Sequence, residues 1–67
     1  MSVAKVIEVI AQSEKSFEDA AQQGIARATD SLSDVTGAWI KDQSIELKNN
    51  RPSVYRVTLK VTFLLKE

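Results

Sequence analysis

The chain has 67 residues, with nine basic and nine acidic side chains for a formal net charge of zero, and it contains neither cysteine nor histidine. At 7.4 kDa there is room for one domain, residues 1–67, with a thin core; disulfides and Cys/His zinc sites are excluded as staples, which leaves oligomerisation. Balanced charge without a like-charge block argues against nucleic acid as a partner. No apolar run approaches the roughly 18 residues of a membrane span, and no basic-then-apolar leader is visible, so a cytoplasmic protein is expected.

Residues 3 to 11, VAKVIEVIA, are rich in β-branched side chains. They predict a first strand whose nearly continuous apolar character suggests cover on both faces. Ser13 to Lys15 form its exit. Ser16 then reads as a helix N-cap with Asp19 three residues on, a capping box in which Asp stands in for Glu. Phe17, Ala20, Ala21, Gly24, Ile25, Ala28 and Leu32 follow at three- and four-residue spacing, a narrow stripe of small residues suited to close approach to a sheet. Gly24 costs about 1 kcal/mol in helix propensity, which close packing could offset. Ser33 to Gly37 are expected to end the helix.

A less regular extended segment runs from Ala38 to Lys48, and Asn49 to Ser53 has the composition of a turn. The last segment is the clearest: Tyr55, Val57, Leu59, Val61, Phe63 and Leu65 alternate with Arg56, Thr58, Lys60, Thr62 and Lys66, Leu64 being the one apolar exception. Strict period two predicts a long strand with one buried and one polar face. The order is β-α-β-β, an α+β fold with a three-stranded antiparallel sheet, the longest strand central and the helix on one face. The other face has nothing in the chain to cover it, a second argument for self-association, since Ile45 and Leu47 need cover.

Trp39 is the one tryptophan among four aromatics. It fits a subunit contact, a stacking platform for a flat ligand, or a core role. Without histidine or cysteine, no recognised catalytic constellation exists, and no enzyme activity is expected. Asp30 and Asp34, one turn apart, and Glu18 beside Asp19 are read as a solvated helix face, so no metal site is expected.

Three stretches together resemble the dodecin family: the opening VAKVIEVIAQS, the helix start SFEDAAQQGIARA, and Tyr55-Arg56-Val57 followed by LKVTF. The resemblance implies a subunit assembled twelve at a time into a hollow dodecamer. It further implies that flavin (FMN, riboflavin or lumichrome) or a related flat aromatic ligand is stored or sequestered between subunits. In the family the ring stacks on a tryptophan at the start of the second strand, and a glutamine after the third strand's aromatic hydrogen-bonds its polar edge. Matching Gln43 and the Tyr55 segment without gaps puts the stacking position on Gly37 and the glutamine position on Arg56. Trp39 lies two residues beyond Gly37, on the same face about 7 Å along the strand. Arg56 can donate hydrogen bonds to a carbonyl or phosphate but cannot accept one. Trp39, Arg56, Gln43 and Gly37 are the candidate ligand-binding residues. The alternative is a cage of the same fold that has lost flavin binding and serves as a structural or ion-binding assembly.

The hairpin loop decides which of these residues meet. A four-residue loop, Asn50 to Ser53, pairs odd positions of the second strand with even positions of the third and gathers Trp39, Gln43 and Arg56 opposite the helix. A five-residue loop pairs odd with odd and sends Trp39 to the core. The first is favoured, because it leaves the apolar residues of the last strand facing the helix.

Overall fold

The computed structural model describes residues 2–65; Met1, Lys66 and Glu67 lie outside the description, and with them the expectation that Lys66 extends the polar face of the last strand. The elements are β1 (Val3–Ser13), α1 (Phe17–Ser31), β2 (Val35–Lys48) and β3 (Arg51–Leu65), in the β-α-β-β order read from the sequence. The strands form one antiparallel sheet ordered β1-β3-β2, with the longest in the middle as expected.

Alternation along β3 turns Val57, Leu59 and Val61 toward α1, where all three are fully buried. The helix meets them with Ala20, Gly24 and Ala28, its three buried residues, each one turn from the next. Phe17 closes one end of this layer edge-on against Tyr55, ring centroids 5.2 Å apart. Gly24 is the point of closest approach: a Cβ there would lie 2.7 Å from Leu59 Cδ1 and 3.0 Å from Ala11 Cβ. Leu59 is fully buried and cannot swing away, and Ala11 Cβ is fixed to its strand. Gly24→Ala should therefore lower stability by about 1 kcal/mol net, overpacking of about 1–3 kcal/mol outweighing the gain in helix propensity. Comparison of denaturant midpoints checks this; a variant more stable than the parent would show that the sheet yields there.

The helix start is only half a capping box. The Ser16 side chain accepts from Asp19 N–H at 3.0 Å, as expected, but the Asp19 carboxylate does not reach back to Ser16. It accepts instead from Ser13 Oγ and from Gln23 Nε2, both at 2.6 Å. Ser13 Oγ in turn accepts from Lys15 N–H at 2.9 Å. The buried Ser13 hydroxyl thus ties the end of β1 to the first turn of α1, and β1 runs two residues past its expected end. The Ser13 hydrogen bond first, then those from Gln23 and the charge of Lys15, hold the Asp19 carboxyl below its ordinary 3.8 against the opposing cost of desolvation. A depressed folded-state pKa adds stability that is present above the unfolded value and lost as pH falls through the folded one. Acid titration of stability from about pH 5 to about pH 2 should therefore show a fall that Asp19→Asn flattens; parallel curves for parent and variant would exclude Asp19 as its source.

Three boundaries differ from the sequence reading. The helix stops at Ser31, capped by Leu32, whose N–H bonds the Ala28 carbonyl, and Asp34 turns the chain with φ 59°. β2 therefore starts at Val35, and Gly37 is a strand residue, not the end of the helix. The hairpin loop is two residues, shorter than either loop considered: Asn49 and Asn50 have φ 54° and 63°, the paired left-handed geometry of a type I′ turn that asparagine tolerates. Arg51 to Ser53 continue as strand. Pro52 is accommodated because it lies beyond the reach of β1, which ends opposite Tyr55, and beside an irregularity at Glu46/Leu47.

Among the described residues only one face of β1 is covered, and the second cover its apolar run leads one to expect is not supplied by these elements. Val6 and Ile10, which point away from the helix, are 44% and 63% exposed. The continuous apolar run is satisfied only if another surface meets it.

Candidate functional site

Residues aligned across an antiparallel sheet share a face, so the register sorts the side chains. On the face away from α1, Gly37 aligns with Thr62 and Val6. Trp39 aligns with Lys60 and Glu8, and Ser44 aligns with Arg56 and Gln12. Trp39 and Gly37 therefore lie on the open face, one row apart, as the sequence indicated. Trp39 is half exposed, and the space a Cβ would enter at Gly37 is empty to 4 Å, so the tryptophan stands beside a notch in the sheet.

Gln43 does not join them. The register shifts between Ile40 and Asp42, leaving Lys41 as an extra residue, and Gln43 aligns with Val57 on the helix-bearing face. Both pairings considered from the sequence are present, odd with even on the Trp39 side of this bulge and odd with odd just beyond it, because an inserted residue inverts the alternation. Ile45, expected on the open face, is likewise aligned with Tyr55 on the helix side, where it stays exposed because α1 lies mainly over β1 and β3.

Arg56 shares the open face with Trp39 but does not converge on it. Arg56 lies four positions along β3 from Lys60, the partner of Trp39, about 13 Å along the strand. Its guanidinium is also engaged: Nη2 donates to Glu46, with which it forms an ion pair, and to Gln12 Oε1 at 3.2 Å. The arrangement spans all three strands. In the Trp39 row, Lys41 and Lys60 share the Glu8 carboxylate at 3.5 Å and 3.9 Å.

Sequence reasoning passed over Glu46, Gln12 and Glu8. The Glu8–Lys60 pairing follows once β1 is laid against β3, but Glu46 reaches Arg56 only through the bulged register. Asp30 and Asp34 are not one helical turn apart, since Asp34 lies past the helix cap. Among the described residues no group of three or more carboxylates is placed to hold a metal ion, and no helix is long and apolar enough to cross a membrane.

Residues 3–66 match the family model described as Dodecin. The chain belongs to the Dodecin family. It is 36% identical over 66 residues to the calcium dodecin of Mycobacterium tuberculosis, covering 98% of this chain and 93% of that one. Its fold superposes on a dodecin variant from T. thermophilus with a TM-score of 0.94 at 30% identity, each chain fully covered. A crystal structure of the Mycobacterium tuberculosis calcium dodecin, described as having a novel calcium-binding site, gives a TM-score of 0.85 at 35% identity over 97% of this chain and 93% of that one. The dodecin subunit fold is thereby established, and the hollow dodecamer implied by the resemblance fits these neighbours.

Proposed function

We propose that this dodecin is a non-enzymatic, single-domain binding protein that self-assembles and stores or sequesters a flat aromatic ligand stacked on Trp39. The observation that carries the reading is the placement of Trp39, half exposed beside the notch at Gly37 on the face that no element among the described residues covers. Flavin, as riboflavin, FMN or lumichrome, is the ligand expected of the family. Within one subunit such a ring would meet Trp39, Gly37, Thr62 and Lys60. Arg56 would contribute only from a neighbouring subunit, and Gln43 not from this face.

Titration with riboflavin, FMN and lumichrome tests the reading, because Trp39 is the sole tryptophan and any ring stacked on it must quench its emission. Mutual quenching of ligand and protein at micromolar ligand is expected. Unchanged emission removes the reading.

A second reading, an ion-binding cage, is favoured by the 36% identity to a calcium dodecin. The residues of one subunit do not fit it, since the described carboxylates form no cluster of three. A calcium site would require carboxylates gathered from several subunits. Equilibrium dialysis against calcium decides: retention by the assembly supports the second reading, and its absence removes it.

A further inference from the structure

The cations of the Trp39 row and of the Arg56 row are matched within the subunit. Arg56, a guanidinium on the open face, is held by Glu46 and Gln12, its side chain and that of Glu46 being 36% and 50% exposed. Lys41 and Lys60, the cations nearest Trp39, share Glu8, and Asp42, one residue past Lys41 on the same face, supplies the second negative charge. In the Trp39 and Arg56 rows three cations thus face three carboxylates, Lys48 and Arg51 lying beyond them at the hairpin end. A phosphate or carboxylate arriving at these rows meets cations that are already paired and would have to displace a carboxylate already in place. An uncharged ring displaces nothing.

We infer that Glu46 and Glu8 are specificity-determining residues, which make the open face select an uncharged flat ligand over its phosphorylated counterpart. The inference rests on ring binding at Trp39 and adds the chemical class of the ligand. Glu46 competes with a ligand anion for the guanidinium of Arg56, Glu8 for the two ammonium groups. Each exposed pair is worth up to about 1 kcal/mol, so removing one carboxylate should strengthen binding of a phosphorylated ring about two- to fivefold and leave a neutral ring unaffected.

Riboflavin and FMN carry the same ring and differ in the phosphate, so their comparison on the assembled protein isolates this effect. The parent is expected to bind riboflavin at least as tightly as FMN. Glu46→Gln and Glu8→Gln should each improve FMN binding two- to fivefold at low salt, an effect that fades at about 1 M salt, where the screening length is near 3 Å, and should leave riboflavin unchanged. A parent that prefers FMN tenfold or more, or FMN affinities indifferent to both substitutions, overturns the inference while leaving ring binding intact. Quenching by neither ligand overturns ring binding itself, and this inference with it.

Discussion

Trp39→Ala is expected to weaken ring binding by about five- to 150-fold while leaving the mass of the assembly unchanged. A ring stacked on an aromatic side chain gains about 1–3 kcal/mol, and with Arg56 about 13 Å away along the sheet no other polar or aromatic group singled out from the sequence reaches the same ring from this subunit. The prediction separates the two roles open to an exposed tryptophan. A residue that mainly packs at a subunit contact would, on truncation, lower the assembly mass in light scattering and lose the ligand only as a consequence. A stacking platform loses the ligand and keeps the assembly. Trp39→Phe sharpens the comparison, since it retains a π face and should recover part of the affinity. Arg56→Gln, which supplies the glutamine that the family resemblance implies at that position, should alter ring binding less than Trp39→Ala, because it acts on a row of the sheet one ring does not span. A greater loss from Arg56→Gln would place the ring between subunits in a different pose.

Much of the fold was legible because its signals are local. Period-two alternation in β3, the Ala20, Gly24 and Ala28 part of the α1 stripe and the Ser16 cap each needed only a few neighbouring residues and formed where expected, whereas Ile25 of the expected stripe is exposed and Leu32 caps the helix from outside it. The site was less legible because it depends on where β2 carries an extra residue. Nothing in Ile40-Lys41-Asp42 announces a bulge, yet that residue turns Gln43 to the helix side and brings Glu46 to Arg56. The asparagine pair carried a usable signal for a two-residue turn, but Pro52 drew the expected loop forward, since proline ordinarily argues against a strand interior. It is tolerated here because β1 ends before reaching it. Gly37 and Trp39 kept a common face because both lie on one side of the bulge.

Light scattering of the parent is expected to return an assembly, with twelve chains of 7.4 kDa making about 89 kDa, and Ile10→Glu is expected to break it. The subunit alone is too extended for its length. Its radius of gyration is 13.9 Å, against about 11 Å for a compact chain of this size. Its accessible surface is 5013 Å², where about 4,200 Å² is usual for the mass. Among the described residues five hydrophobic side chains are buried, while Val6, Ile10, Trp39, Ile40, Ile45 and Leu47 remain exposed. A core that thin does not outweigh the conformational entropy of 67 residues, so folding and association should occur together, with a melting temperature that rises with protein concentration. Ile10 is the sharpest probe, as the second most exposed of these residues, lying between Glu8 and Gln12 on the open face and level with Asp42 one strand beyond Thr58. A glutamate there forfeits about 2 kcal/mol of burial in each copy and sets a third carboxylate near Glu8 and Asp42, and a closed assembly repeats that penalty in every subunit. Loss of the 89 kDa species together with loss of cooperative melting is the expected outcome. A parent chain that melted sharply as a 7.4 kDa monomer would contradict it, because the apolar face of β1 would then be stable in water with nothing to cover it.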